Sequence, residues 1–302
     1  MLLRHARYLV AIADHGSFTR AAAELHVSQP ALSQQIRQLE EMLGARLLDR
    51  TGRIVRLTDA GRAYIGHARR ALREFEAGRR AIHDVENLCS GALRLAFTPT
   101  FTTYLVAPLV RQFHRLHPGV GISVNVLAQT EMEAALSEDT IDLGVAFGAV
   151  RSDDIVARPL YEERLCLVVA EGHPAFAHTE LAASSLDGMH LALLDTTFVT
   201  RTAIDGYLNT AAAYPRIAIE SNSVECLLAV LEGGGLATIM PQAAASEITG
   251  LKAIQLLPPI ASRTVSVLQR DGAYSTAASR AFVAMLEAWD WVSLGRDPTA
   301  AL

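Results

Sequence analysis

The sequence has few cysteines and no long uncharged apolar run. Its three cysteines, Cys89, Cys166 and Cys226, are odd in number and far apart, so neither a disulfide framework nor a paired zinc or redox motif is expected. No stretch reaches the roughly 18 apolar residues that a membrane helix needs. Residues 1–13 mix arginine and histidine with their apolar side chains and lack the pattern of an export signal. We therefore expect a cytoplasmic protein without a membrane partner.

Motifs for catalysis are also missing. The sequence has no GxSxG nucleophile motif. The glycines at 233–235 end a predicted helix, whereas a dinucleotide-binding motif follows a strand and opens a helix. His114 and His117 have a spacing that suits a metal, but arginines share their helix edge, which is typical of a solvated face. We expect no catalytic site, metal or cofactor. An enzyme or a solute-binding protein is the alternative, and the latter accounts only for the C-terminal part.

Charge is divided unevenly along the chain. The whole sequence carries a formal charge of −5, from 27 basic and 32 acidic residues. Residues 1–90 contain 14 arginines, no lysine and 10 acidic residues, a net charge of +4, which leaves −9 for the remainder. Excess positive charge favours contact with a phosphate backbone. The first part of the chain is therefore the candidate for a nucleic-acid partner, and a chance division between solvated faces is the alternative.

Three short helices are predicted near the start of the chain. Gly16 can supply the left-handed turn that ends the first helix. Ser17 can cap a second helix, and Ser28 can cap a third whose first turn tolerates Pro30. Two short helices joined by a tight turn are the layout of a helix-turn-helix, whose second helix enters the major groove of DNA. We predict this motif over residues 18–37.

A strand pair and a long helix are predicted next. Thr51-Gly52 is a turn signal between two short β-like segments, which indicates a wing. Thr58 and Asp59 can cap a helix that continues to about Leu88, longer than an ordinary globular helix. Apolar residues recur along it in steps of three and four, which favours a coiled-coil dimer seam over packing on its own domain. The predicted seam residues are Ile65, Ala68, Leu72, Phe75 and Ile82.

The exposed face of the third helix carries hydrogen-bonding side chains. Amides and guanidinium groups can form paired hydrogen bonds with base edges in a major groove. On its own such a face is also typical of a solvated surface, so the prediction depends on its coincidence with the caps, the turn, the wing and the basic charge. The predicted DNA contacts are Gln29, Pro30, Ser33, Gln34 and Arg37, together with Arg53 in the wing. Arg56, also in the wing, is placed for contact with the minor groove or the backbone.

From residue 91 onward, short β-like runs alternate with helical stretches. This alternation is typical of an α/β domain with largely parallel strands. Ligands in such domains bind near the carboxyl ends of strands and the N-termini of helices. The C-terminal part of the chain is therefore the candidate for a small-molecule site.

Several motifs together resemble LysR-type transcriptional regulators. They are GSFTRAAAELHVSQPALSQQI at residues 16–36, LTDAG at 57–61, IDLGVAF at 141–147 and GGGLATIMP at 233–241. The resemblance implies an α+β multidomain fold with a winged helix-turn-helix, a long linker helix and a two-lobed effector domain like periplasmic binding proteins. The implied boundaries are 1–58, 59–88 and 89–292, with a tail at 293–302, lobe I at 91–160 and 265–292, and lobe II at 161–264.

The same resemblance implies a function. A LysR-type regulator would bind double-stranded operator DNA as a homodimer or homotetramer and, as an activator, would contact RNA polymerase. Effector binding would close the two lobes and change the spacing of the DNA-binding heads, a shift in population rather than a chemical step.

The effector is expected to be a small anion. Within the family, RAIHDV at residues 80–85 and AFTPTFTTY at 96–104 resemble regulators of cyanate operons, which implies cyanate or a similar anion. Backbone N–H groups at helix N-termini and threonine hydroxyls suit such a ligand. Helix capping is the alternative role for each threonine, and a different organic effector is the alternative ligand. The predicted effector contacts are Thr98, Thr100, Gln129, Phe147, Thr197, Phe198 and Arg201.

Overall fold

The computed structural model describes residues 2–52, 54–86, 91–246 and 248–291. The chain divides into two compact units, Met1–Val85 and Glu86–Leu302. Among the described residues, no helix is both long enough and apolar enough to cross a membrane.

The first unit is a group of short helices followed by a strand pair and a long helix. Strands β1 and β2 are antiparallel and pair Leu48 with Leu57 and Asp49 with Arg56. The predicted helix-turn-helix and wing are both present. The elements are α1 (Leu2–His15), α2 (Phe18–Glu24), α3 (Gln29–Leu43), β1 (Leu48–Asp49), β2 (Arg56–Leu57) and α4 (Asp59–Glu86).

The helix ends of this unit follow the local sequence signals. Gly16, between α1 and α2, adopts a φ of +59°, a conformation that glycine reaches without strain. The hydroxyl of Ser17 accepts from the backbone N–H of Arg20 at 3.4 Å, and that of Ser28 accepts from Ala31 at 3.4 Å. The predicted caps of α2 and α3 are thus confirmed.

A small apolar core lies between the first three helices. Leu9 and Ile12 of α1 and Leu32, Ile36 and Leu39 of α3 are fully buried in it. Because these positions of α3 recur at steps of three and four, they occupy one side of the helix. The opposite side of α3 is left in solvent.

Part of the predicted dimer seam, at the start of α4, is buried within the first unit. Ile65 and Ala68 are 8% and 4% exposed in the single chain, and Arg69 of the same segment pairs with Asp14 of α1. These two apolar side chains are not available to a second chain, because packing within the first unit already covers them. Phe75, by contrast, is 62% exposed. The side chain of Ile82 lies outside the described residues.

The second unit contains two mixed sheets with helices between their strands. A 3-10 turn, Pro99–Thr103, follows its first strand. The helices are α5 (Val106–Leu116), α6 (Gln129–Ser137), α7 (Val199–Thr210), α8 (Val224–Leu231), α9 (Gln242–Ser246) and α10 (Ala277–Glu287). The strands are β3 (Ala92–Phe97), β4 (Gly121–Val126), β5 (Leu143–Phe147), β6 (Ile155–Glu163), β7 (Leu165–Ala170), β8 (Glu180–Ala182), β9 (His190–Leu194), β10 (Arg216–Ser221), β11 (Ala237–Pro241), β12 (Leu251–Leu257) and β13 (Arg263–Arg270).

Each sheet forms the centre of one lobe. Lobe I has the strand order β4-β3-β5-β13-β6, and lobe II has the order β10-β9-β11-β7-β12-β8. The chain passes from lobe I to lobe II between residues 163 and 165 and returns between 257 and 263. In lobe I, β3, β4 and β5 are parallel, whereas β13 is antiparallel to β5 and β6. The expected largely parallel sheets are therefore mixed, because the first strand after each crossing, β7 in lobe II and β13 in lobe I, runs antiparallel to its neighbours.

One apolar cluster extends through both lobes. It joins Phe101 and Tyr161 of lobe I to Val168 and Met240 of lobe II. The lobes are thus packed against each other at the level of the two crossings.

Candidate nucleic-acid interface and interlobe pocket

The predicted DNA contacts share the solvent side of α3. Gln29, Pro30, Gln34 and Arg37 are exposed, and Ser33 is half-buried. Their spacing of three and four residues places them opposite the buried leucines of the same helix. Arg53 lies outside the described residues.

Two neighbouring glutamines of α3 differ in their surroundings. Gln35 is held by residues of α1. Its Oε1 accepts from Arg4 at 2.9 Å and lies 3.1 Å from Nε2 of the fully buried His5. It also donates to Gln38 at 3.0 Å. Gln34 points to solvent. Gln35 therefore fixes α3 on α1, and Gln34 presents its amide outward.

An open groove lies beside this helix. Its walls are the C-terminal part of α3, the wing and the first turn of α4. Arginines outnumber acidic groups there by one, so the groove is weakly basic. Sequence reasoning missed three of these arginines, although the spacing of arginines in RLLDR placed two of them just before the wing. The arginines are Arg37, Arg46, Arg50, Arg56 and Arg62, and the acids are Glu40, Glu41, Asp49 and Asp59.

A small pocket lies between the two lobes of the second unit. Lobe I contributes Thr100 and Thr103 of the 3-10 turn, and lobe II contributes Thr200 at the start of α7. The pocket has a free volume of about 10 Å³, which is about what one water molecule requires. The other lining residues are apolar: Leu194, Val224, Leu227, Ile239, Met240, Pro241 and Ala244.

Two threonine hydroxyls on the lobe I side lack partners. Thr98 and Thr100 are 5% and 4% exposed, and neither Oγ1 has a hydrogen-bond partner among the described residues. An unpaired buried hydroxyl costs about 1–3 kcal/mol. A bound polar molecule would remove that cost for Thr100, which lines the pocket.

A charged group beside the pocket connects the lobes. Arg263 pairs with Glu163 and donates to Oγ1 of Thr200 at 2.9 Å. Its guanidinium carbon lies 3.9 Å from the ring centroid of Phe147. Arg263 belongs to lobe I and Thr200 to lobe II, so this hydrogen bond spans the cleft. No periodicity or motif distinguishes Arg263, Glu163 or Thr200 in the sequence, and all three were missed.

Glu163 is itself buried at 3% exposure and accepts a second hydrogen bond, from the hydroxyl of Tyr104. Burial, and then the negative charge of Glu163, raise the pKa of Tyr104 well above its ordinary value. The phenol therefore keeps its proton and donates a hydrogen bond to the carboxylate of Glu163.

Arg201 does not offer the free charge that the sequence suggested. Its guanidinium donates to the carbonyl oxygen of Leu194 and to Asp205, both at 2.8 Å, and pairs with Glu220. Burial opposes the charge of Arg201, but the two carboxylates outweigh it and raise the pKa. Because these carboxylates compensate its charge, Arg201 fixes α7 to the neighbouring strands and is not available to an anion.

Gln129 is likewise occupied. Its Nε2 donates to the carbonyl oxygens of Phe147 and Ala149, both at 3.0 Å, and its Oε1 accepts from the N–H of Phe147 at 3.4 Å. The amide holds the segment after β5 in place. The expected effector contact by this side chain is therefore replaced by a structural role.

The remaining predicted effector residues do not line the pocket. The hydroxyl and N–H of Thr197 donate to Asp195 at 2.5 and 2.9 Å, which lowers the pKa of that carboxyl. Phe198 packs on the core, and Phe147 lies beneath Arg263. Of the seven predicted residues, only Thr100 is part of the pocket wall.

The described residues contain no group of three or more His, Cys, Asp or Glu side chains that could hold a metal ion. The pocket offers hydrogen bonding from threonine hydroxyls, and Arg263, whose charge is compensated by Glu163, donates to one of them.

Two family profiles cover most of the chain. The profile described as "Bacterial regulatory helix-turn-helix protein, lysR family" matches residues 3–62. The profile described as "LysR substrate binding domain" matches residues 87–290. The first match covers the helix-turn-helix and wing, and the second covers both lobes.

Relatives of known description align over nearly the whole chain. A "Hydrogen peroxide-inducible genes activator" of Dickeya chrysanthemi is 30% identical over 275 residues, which is 90% of each chain. A "Probable RuBisCO transcriptional regulator" of Trichormus variabilis is 30% identical over 290 residues, 93% of this chain and 86% of the relative. Both of these relatives are regulators of gene expression.

Solved structures share the fold. A full-length OxyR variant from Pseudomonas aeruginosa superposes with a TM-score of 0.71 at 24% identity, covering 95% of this chain and 94% of the other. Full-length CbnR in complex with its target DNA gives a TM-score of 0.65 at 24% identity, covering 95% and 99%. At this level of identity the likeness concerns the fold.

Proposed function

Because this chain belongs to the LysR family of bacterial transcriptional regulators, we propose that its α3 reads operator DNA and that its interlobe pocket binds a small polar effector. The chain is a DNA-binding transcriptional regulator with a helix-turn-helix unit and an effector-binding domain, and it is not an enzyme. Regulators of this family bind operator DNA and oligomerise.

The proposal that the protein binds DNA depends on the exposed face of α3. Gln29, Ser33, Gln34 and Arg37 are assigned to base edges or their flanking phosphates, and Pro30 to packing at the start of the helix. The supporting observation is that this face is exposed while the other side of α3 is fully buried. Arg53 keeps its proposed wing contact on sequence grounds alone.

A gel-shift titration with the DNA upstream of its own gene tests this assignment. We expect retardation that weakens as salt rises, because phosphate contacts release counterions. Gln34→Ala should weaken operator binding about tenfold or more, since a paired base contact contributes about 1–3 kcal/mol of discrimination. Glu24→Gln, on α2, is a control expected to leave base discrimination unchanged. Wild-type affinity of Gln34→Ala for the operator, with unchanged discrimination against unrelated DNA, would contradict the assignment.

The pocket favours a very small polar effector. Thr100 brings an unpaired buried hydroxyl to a space of about one water molecule, so an occupant larger than water must move the lobes apart. Cyanate, the candidate from the sequence resemblance, is a linear anion of three atoms that can accept from threonine hydroxyls. The comparisons do not favour cyanate over other effectors.

Hydrogen peroxide is the second candidate, because one group of relatives is described as peroxide-inducible activators. A thiol-based response would need a reactive cysteine. Burial raises the pKa of Cys166 to about 12, which disfavours the reactive thiolate there, whereas Cys226 is exposed. A peroxide response would thus depend on Cys226, on Cys89 or on binding without a thiol.

Calorimetry on the full chain separates the effector candidates. We expect heat from cyanate or azide, abolished by Thr100→Val and kept by Thr100→Ser, because only serine retains the hydroxyl. A shift in cysteine mass after peroxide, without binding of either anion, would favour the second candidate. No heat and no oxidation would withdraw both and leave a different organic effector of another operon.

The assembly and location are proposed at the level of the family. We propose a homotetramer built from dimers, acting in the cytoplasm as an activator that contacts RNA polymerase. The proposed boundaries are a DNA-binding domain at 1–58, a linker helix at 59–88 and an effector domain at 89–292. Sedimentation of the purified protein with and without operator DNA tests the assembly.

A further inference from the structure

A carboxylate of α3, Glu40, joins that helix to the wing. Its side chain is only 13% exposed. After α3, Gly44 reverses the chain in a left-handed conformation with a φ of +64°. The backbone N–H groups of Leu47 and Leu48 then donate to Oε1 of Glu40 at 2.9 and 3.1 Å. One carboxylate oxygen of α3 therefore holds the beginning of β1.

The second oxygen of the same carboxylate holds a cation. Arg50, the residue after β1, donates to Oε2 of Glu40 at 2.9 Å. Its guanidinium carbon also lies 5.0 Å from the ring centroid of Phe18 in α2. With its side chain still 33% exposed, Arg50 lines the groove beside α3. Glu40 thus orients both a strand and an arginine that faces the groove.

The surroundings leave the start of β1 little freedom to adjust. Leu47 and Leu48 are 2% and 3% exposed, so water does not readily replace the carboxylate at their N–H groups. The carbonyl oxygen of Leu47 accepts from the N–H of Thr58 at 2.9 Å, and a Cβ on Gly61 would lie 2.1 Å from it. The segment is confined between the end of α3 and the start of α4.

We propose that Glu40 is a positioning residue for DNA binding, which sets the wing and Arg50 at a fixed distance and angle from α3. With that geometry, the groove arginines meet the phosphate backbone while the α3 face meets the bases. The inference rests on the proposed function, in which α3 enters the major groove. A carboxylate beside DNA repels phosphates, so Glu40 contributes to binding only through the groups that it holds.

Two matched variants test the inference, because a positioning role and a charge effect predict opposite changes in the operator affinity of Glu40→Gln. Glu40→Gln and Glu41→Gln each remove one negative charge from the same turn of α3, and Glu41 is exposed. If charge were the only effect, both variants would bind operator at least as tightly as the wild type does. We expect that result for Glu41→Gln. For Glu40→Gln we expect affinity about tenfold weaker, because the amide presents an N–H donor where Arg50 needs an acceptor.

The salt dependence distinguishes positioning from a folding defect. The slope of log K against log salt decreases by about one for each phosphate that the protein no longer binds, whereas a smaller folded fraction lowers K without changing the slope. Full-length Glu40→Gln should show the lower slope and faster hydrogen exchange at the Leu47 and Leu48 amides. Binding equal to or tighter than wild type, or weaker binding with an unchanged slope, overturns the proposal. Failure of the wild-type chain to bind its operator overturns the proposed function, and with it this inference.

Discussion

At the scale of single residues, burial decides which polar groups are available to ligands. Arg201 and Gln129 are predicted from the sequence for their chemistry, and both turn out to be occupied by partners within the protein. Thr100 is predicted by the same reasoning and is unpaired in the pocket. The sequence specifies which groups can donate, but not which donors are already used, since the partners of Arg201 and Gln129 lie 4 to 20 residues away.

The hydrogen bond between Arg263 and Thr200 is expected to stabilise the closed lobes. Thr200→Val keeps the side-chain shape and removes the acceptor, which leaves one buried N–H of the Arg263 guanidinium without a partner at a cost of about 1–3 kcal/mol, while the pair with Glu163 remains. We expect the midpoint of thermal unfolding of the effector domain to fall by several degrees, measured by calorimetry. Thr200→Ser retains the hydroxyl and serves as the control. A midpoint for Thr200→Val equal to that of Thr200→Ser would show that the bond does not contribute.

Cys166 is expected to be inert in the folded protein. Burial raises the pKa of its thiol from 9.0 to about 12, so the neutral form dominates at pH 8. Because the folded pKa lies above the unfolded value, the neutral thiol adds stability below pH 9 that is lost as pH rises towards 12. Alkylation at pH 8 followed by peptide mass spectrometry should label Cys226, which is exposed, and reach Cys166 only in denaturant. Equal labelling of the two in the native protein would contradict this.

At the scale of elements, helix ends and amphipathic faces were predictable because their signals are local. The caps at Ser17 and Ser28 act over three residues. The surface against which a long helix packs can be distant in sequence, and for this reason the predicted dimer seam of α4 was partly wrong. Ile65 and Ala68 fit the seam spacing, but α1 supplies a neighbouring surface that the spacing could not reveal.

Ile65 and Phe75 of the predicted seam should therefore respond differently to truncation. Phe75 is 62% exposed and Ile65 is 8% exposed. We expect Phe75→Ala to weaken dimerisation, measured by analytical ultracentrifugation, with little change in the unfolding midpoint of the first unit. Ile65→Ala should instead lower stability by about 2–4 kcal/mol, as is usual for a buried isoleucine. Phe75→Leu, which keeps an apolar side chain, is the control. Unchanged association of Phe75→Ala would exclude this residue from the dimer contact.

At the scale of the whole molecule, the order of helices and strands was predictable, whereas the directions of the strands at the lobe crossings were not. Alternating strand and helix patterns predicted an α/β domain, and the family resemblance implied its two lobes; the fold confirms both. The antiparallel placement of β13 in lobe I arises from the returning crossing, which a pattern of apolar residues does not encode. The interlobe bond of Arg263 depends on that return, and for this reason it could not be anticipated.

The division of charge between the two units should determine where arginines contribute to DNA affinity. The whole chain is acidic at −5, yet its first 90 residues carry +4, so affinity should depend on where an arginine lies rather than on the net charge. Arg37→Gln and Arg56→Gln remove exposed charges beside the groove. Arg216→Gln removes an exposed charge from β10 of lobe II and changes the net charge equally.

For each groove variant we expect weaker operator binding and a smaller slope of log K against log salt. The decrease should be about one for each phosphate that is no longer bound, counted over both heads of a dimer. The variant in β10 should keep the wild-type slope, because an effector domain that carries −9 does not hold the phosphate backbone. Binding isotherms from about 50 to 200 mM salt measure all three slopes. If the effect at residue 216 matched the effects at residues 37 and 56, long-range attraction by net charge would account for binding, and the groove would have no specific part in it.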